Sequence, residues 1–166
     1  MNAVSPTVFE KERPLYGKKG DILVHSGEFD DARRLYQQVV DAGAQAPGNY
    51  VKKSQGVVAG EGFHDHAIAF CQGGMAVGAE EFSYQGGWND AFSVRYDNIK
   101  AVTVKPLVWQ GRTVHQLRMQ FAARVSNASG SWQKEDCTLR IPDDEVRQNL
   151  VRYLKQRGVA VTEQAK

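Results

Sequence analysis

The stretch GEGFHDHAIAFCQGG, from Gly60 to Gly74, concentrates residue types that bind metals or move protons. It holds His64 and His66, two of the four histidines, with Asp65 between them, and Cys71, one of the two cysteines. In an extended strand His64 and His66 share one face about 7 Å apart, a spacing that can chelate a metal. A zinc site requires three or four converging ligands, however. Strand alternation sends Asp65 and Cys71 to the opposite face, while Ile68 and Phe70 share the histidines' face. The pattern favours a strand whose solvent-facing start runs into an apolar end. His64 and His66 are metal candidates only if His25 or His115 folds against them, and no cofactor is expected.

Other catalytic constellations are weaker. Glu80 and Glu81 are adjacent, so a strand turns them to opposite faces, whereas a two-carboxylate mechanism needs both on one bond. Ser83, Ser93, Ser126, Ser129 and Ser131 lack the strand-to-helix setting of an activated serine. Cys71 follows an apolar run and Cys137 sits on an inward face, as small buried residues do. The glycine clusters have no strand-loop-helix context for a phosphate cradle. The residues therefore point to a chain that is not an enzyme.

The elements that would position these residues are legible in the periodicity. Residues 1–20 mix charge, proline and glycine and read as an N-terminal arm. DILVH, Asp21 to His25, is a short strand or the lead-in to a helix. SGEFDDARRLYQQVVDAG carries Phe29, Ala32, Leu35, Tyr36, Val39 and Val40 at helical spacing, with acids in front and Gly43 as a stop, so a helix spans about 27–42. The helix and a linker fill 21–50.

From about residue 55 the pattern alternates instead. Seven strand-like runs lie between glycine clusters: SQGVVA, FHDHAIAFC, MAVGAEEFSY, AFSVRY, IKAVTVKPLVW, TVHQLRMQFAA and WQKEDCTLRI. In the sixth, His115, Leu117, Met119 and Phe121 point one way and Val114, Gln116, Arg118 and Gln120 the other, as in a half-buried antiparallel strand. QGR is a tight hairpin turn and SNASGS a flexible one. Asn127-Ala128-Ser129 matches a glycosylation sequon, read as a chance loop sequence. IPDDEVRQNLVRYLKQRG is a closing helix, capped by its acids and stopped at Gly158. Residues 159–166 are a frayed tail.

Seven antiparallel strands followed by one amphipathic helix resemble a pleckstrin-homology-like domain, in particular the bacterial PH and GRAM-like groups. The resemblance covers about residues 51–158 and is strongest at FSVRYDNIKAVTVK, Phe92 to Lys105, and in the closing helix. It implies an α+β, mainly β fold: a seven-stranded antiparallel barrel or sandwich closed by a C-terminal helix, here with an extra N-terminal helix. Lipid-binding members of that group present basic residues around the first hairpin. The corresponding GVVAGEGFHDHAI has none.

The totals exclude extremes. With 21 basic and 19 acidic residues the net charge is +2, too balanced to call for nucleic acid. Arg95, Lys100, Lys105, Arg112, Arg118, Arg124 and Arg140 read as a solvated sheet face beside acids such as Asp97 and Glu135. Two cysteines make no disulfide framework. No signal-like run opens the chain and no apolar stretch approaches membrane-spanning length, so a cytoplasmic setting is expected.

The expected function is a non-catalytic adaptor that binds a protein partner at a sheet edge or beside the C-terminal helix. Trp88, Trp109, Arg118 and Tyr153 are its candidate contact residues, Trp88 foremost because QGGWND is a loop. An anionic-lipid or membrane-surface module is the first alternative, and a metal- or small-ligand-binding barrel the second.

Overall fold

A computed structural model describes residues 18–65, 69–87 and 90–165. Residues 18–25 are helical (α1), which settles DILVH as helix. Helix α2, Phe29–Asp41, follows at once and ends at Ala42, with Gly43 in the left-handed region at φ 82°. Its Phe29, Ala32, Leu35, Tyr36 and Val39 are buried, the apolar face that the spacing predicts.

The strands are β1 (Tyr50–Val51), β2 (Gly56–Asp65), β3 (Phe70–Val77), β4 (Glu81–Gln85), β5 (Phe92–Arg95), β6 (Ile99–Trp109), β7 (Arg112–Ser126), β8 (Gln133–Ile141) and β9 (Val161–Glu163). One 3-10 turn, Tyr96–Asn98, links β5 to β6, and helix α3, Asp144–Gln156, links β8 to β9. The fold is α+β and mainly strand. The strands form one sheet in the order β5-β4-β3-β2-β8-β7-β6-β9, with β1 beside β2.

The expected seven-stranded antiparallel barrel or sandwich is thus corrected: the described residues form nine strands in one mostly antiparallel sheet that does not close into a barrel. Bulges between Val58 and Gly60 in β2, Ile99 and Ala101 in β6, and Gln120 and Val125 in β7 bend it. Its β5 end reaches the β7–β8 turn through one isolated bridge, Phe92 to Asn127, without a continuous ladder.

Two of the predicted strands were divided at the wrong glycines. Gly60 and Gly62 lie inside β2, and Gly73 and Gly74 inside β3. They are there because neighbours come close. A Cβ on Gly60 would meet Val146 of α3 at 2.4 Å, one on Gly62 Met75 at 2.8 Å, and one on Gly73 the Tyr84 ring at 2.7 Å. The expected turn at Gln110 and Gly111 is present, with φ of 53° and 78°, and joins the paired Trp109 and Arg112.

The tail is not frayed. Val159 is buried, and β9 lies parallel to β6 at Val102–Val104. Glu163 is held there by Arg147 at 3.1 Å and Lys155 at 3.2 Å. The tail therefore occupies the β6 edge beside α3, one of the two partner sites expected from the sequence.

Helix α3 begins at Asp143, whose carboxylate accepts from the amides of Glu145 at 2.9 Å and Val146 at 3.2 Å. Leu150, Val151, Tyr153 and Leu154 are buried, and Gly158 stops the helix at φ 81°. Phe29 and Tyr36 of α2 share a continuous apolar cluster with Leu117, Leu139 and Leu154. Both helices and the sheet therefore have one core. No helix of the described residues is long and apolar enough to cross a membrane.

Candidate functional site

Because β2 ends at Asp65 and pairs antiparallel with β3 from Phe70, the parity of the chemical groups in these strands changes. His66 lies outside the described residues. Cys71 stands directly opposite His64 in the β2–β3 ladder, on the same face. His64 is not at a solvent-facing start but fully buried. Its Nδ1 is hydrogen-bonded to Asp90 Oδ1, and Asp90 is buried as well.

Aromatic rings enclose this pair. Tyr84 and Phe92 lie 5.5 Å from the imidazole and Trp132 6.0 Å. The Tyr84 hydroxyl accepts from the His64 backbone amide at 3.3 Å and lies 3.0 Å from the Gly62 carbonyl oxygen. Burial raises the Tyr84 pKa well above its usual value, so this phenol is a fixed hydrogen-bonding post. Cys137 is buried on the same side of the sheet, and desolvation pushes its thiol up to about 12. A thiol so protonated is no nucleophile at neutral pH. Among the described residues, no three His, Cys, Asp or Glu side chains come together as a metal-binding group. The pair has the geometry of a structural polar contact in an aromatic shell.

Of the four partner-binding candidates, Tyr153, Arg118 and Trp109 lie among the described residues, each with different neighbours. Trp88 lies outside the described residues. Tyr153 is 2% exposed, with its hydroxyl 2.8 Å from Asp30 Oδ1 and 3.0 Å from the Gly78 carbonyl oxygen, so its ring faces no partner. The apolar stripe of α3 placed it inward. Arg118 is exposed and bound to Asp136 at 2.6 Å. Trp109 is half-buried on the outer sheet face, 5.0 Å from Phe63 and 5.2 Å from Phe70. The Arg140 guanidinium stacks 3.9 Å from Phe70 and 5.0 Å from Trp109.

Much of the basic set has acidic company. Arg95 binds Glu80 and Asp97, each at 3.2 Å, and Arg124 binds Glu135 at 3.2 Å. Exposed pairs like these add little stability, but they neutralise the face that carries them.

Beside His64 lies a concavity of about 580 Å³ lined by His64, Asp65, Arg124 and the run Gln133–Thr138 of β8. Strand β7 pairs with β8 on one side, at Gln133, Lys134 and from Asp136 to Ile141. On the other side β2 pairs with β8 only at Leu139 and Arg140. The rest of that β8 edge borders the concavity.

The turn above it, expected to be flexible, is stitched by side-chain hydrogen bonds. Asn127 is buried, its Oδ1 accepts from the Trp132 amide at 3.1 Å, and its Nδ2 donates to Ser129 and Ser131 at 3.0 and 2.8 Å. The sequon asparagine is therefore a turn strut. Sequence reasoning missed Asp90 and the β8 edge. Asp90 followed QGGWN with nothing to tie it to a histidine 26 residues away, and edge pairing is a property of the sheet order. No family model matches the sequence, and no curated protein matches it.

Proposed function

We propose that this chain is a non-catalytic protein-interaction module on a pleckstrin-homology-like scaffold. The scaffold reading is supported by the order of pairing. A meander from β2 to β5, a short turn, a second meander from β6 to β8 and then α3 follow one another, with β2 joining the halves through β8. The functional reading is carried by one observation. The open concavity beside His64 runs along a strand that, among the described residues, is paired on only part of one side. Such an edge offers backbone donors and acceptors to another chain. The buried groups nearby, His64, Asp90 and Cys137, are packed as structure.

Anionic lipid fits this end of the molecule less well. Arg124 and Arg118, the guanidinium groups near the concavity, are bound to Glu135 and Asp136. The test is mass spectrometry of the untagged protein isolated from its native extract, together with flotation on phosphatidylserine vesicles. A single stoichiometric protein partner with no vesicle binding is the expected result. Recovery of the chain alone, with salt-sensitive vesicle binding, would replace this reading by the lipid one.

A further inference from the structure

We propose that an extended peptide adds as a strand to the unpaired half of β8, Gln133–Thr138, with its basic residues toward Asp65 and its acidic residues toward Lys134. The proposal rests on the interaction-module reading and names its site and the chemistry of its partner.

The backbone argument comes first. Strand β2 runs antiparallel to β8, pairs Phe63 with Arg140 and His64 with Leu139, and ends at Asp65. Among the described residues no strand pairs with Gln133–Thr138 on that side. The concavity follows those residues. They span about 20 Å at strand rise, enough for a ladder with a six-residue segment.

The other edges are covered in part, at Val102–Val104 of β6 and at Phe92 of β5. Strand β9 covers β6 at Val102–Val104, and the Gln164 amide extends the cover to the Val104 carbonyl at 2.7 Å. Phe92 of β5 is bridged to Asn127, and the Ala128 amide donates to the Ala91 carbonyl at 2.7 Å. A strand in the β8 position would continue the line of β2. It would run antiparallel to β8, with its N-terminal end beside Asp65 and its C-terminal end beside Lys134.

Charge fixes that orientation. Arg124 and Glu135 satisfy each other, as do Arg118 and Asp136. Asp65, exposed where β2 stops, has no ion pair among the described residues. The Lys134 ammonium lies over the Trp132 ring at 4.8 Å rather than on an acid. One unneutralised carboxylate thus stands at the start of the vacant strand position and one unneutralised ammonium near its end. A peptide with Lys or Arg in its N-terminal half and Asp, Glu or a free carboxylate in its C-terminal half complements both. Alternate side chains of such a strand would face inward beside Cys137 and outward beside Asp136.

The test uses the full chain and a phage-displayed library of random linear dodecapeptides. Enriched peptides are synthesised, their affinities measured by fluorescence polarisation, and their footprints mapped by amide hydrogen exchange. The expected result is a basic-to-acidic charge order, with exchange slowed at Gln133–Thr138. Lys134→Glu should weaken binding at least tenfold, and the double variant Asp65→Lys with Lys134→Glu should prefer peptides of reversed charge order. Both side chains lie at the surface, and circular dichroism would verify the fold of each variant. No enrichment, a footprint elsewhere, or affinities indifferent to the charge reversal would overturn the proposal. A native protein partner that binds the Lys134→Glu variant unchanged, without protecting β8, would leave the module reading standing and remove this site alone. No partner and no peptide would remove both.

Discussion

The imidazole of His64 has no contact with solvent, and the carboxylate on its Nδ1 belongs to a second buried residue, Asp90. A buried polar pair is expensive to break from one side, because the survivor loses its compensation. His64→Phe and Asp90→Leu should therefore each destabilise the protein, while the double variant should cost less than their sum. Urea unfolding should give a coupling of about 1–3 kcal/mol; additive effects would show that the contact contributes nothing of its own. Sequence parity could assign His64 a face only if the strand were known to stop at Asp65, and nothing in the residue types announces that stop. Both cysteines were expected to be buried, and only Cys137 is. Cys137 is fully enclosed with a thiol pushed up to about 12, whereas Cys71 is half-buried. With a maleimide reagent at pH 7.5, Cys71 should label in the native protein and Cys137 only on unfolding. Equal labelling of both would mean that the β7–β8 region opens far more readily than its burial implies.

At the scale of elements, two of the contacts that hold α3 differ in kind. One is steric: Gly60 leaves room for Val146, which a Cβ would meet at 2.4 Å. Gly60→Val should cost about 1–3 kcal/mol through overpacking, and Val146→Ala in the same chain should return part of that loss. If the two changes simply add, α3 is not what the glycine accommodates. The other contact is electrostatic and ties α3 to α2. Burial works against the Asp30 carboxylate, yet the Tyr153 hydroxyl and the Arg157 and Arg33 guanidinium groups outweigh it and hold its pKa below 3.8. A carboxyl depressed by folding contributes stability above its unfolded value and loses it as pH falls through the folded one. Asp30→Asn should therefore lower the urea midpoint at pH 7 and flatten its fall below about pH 4. Identical acid limbs for the two proteins would assign the fall to other carboxylates. The α3 cap, stripe and stop were legible because each is a local signal at Asp143, Leu150 and Gly158. The tie to Asp30 joins residues more than a hundred positions apart, as the Tyr153–Asp30 separation of 123 shows, and no local pattern reports such a contact.

For the whole molecule, periodicity revealed α2, α3 and most of the strands but neither α1 nor how the sheet is arranged. Alternation in Thr113–Ala123 defines a strand with an inward face and says nothing about which strand lies beside it. The open sheet, the parallel tail on β6 and the half-paired β8 all depend on pairings between distant segments and on bulges such as that at Gly60, which looks like a turn glycine in sequence. The same distance dependence hid the standing of the N-terminal helix. Phe29 is 1% exposed, meets the Tyr153 ring edge-on at 5.4 Å, and belongs to the apolar cluster that contains Leu117 and Leu139. A helix so placed cannot melt without opening the sheet core, so unfolding should be a single transition. Phe29→Ala should remove about 3–5 kcal/mol. It should also move the far-ultraviolet circular dichroism and tryptophan fluorescence transitions together, the first reporting helix and the second Trp109 of β6 and Trp132 just before β8. If the dichroism transition alone shifts to lower urea, α2 is a separately melting attachment, and the apolar surface it leaves behind becomes a second place, besides the β8 edge, open to a partner.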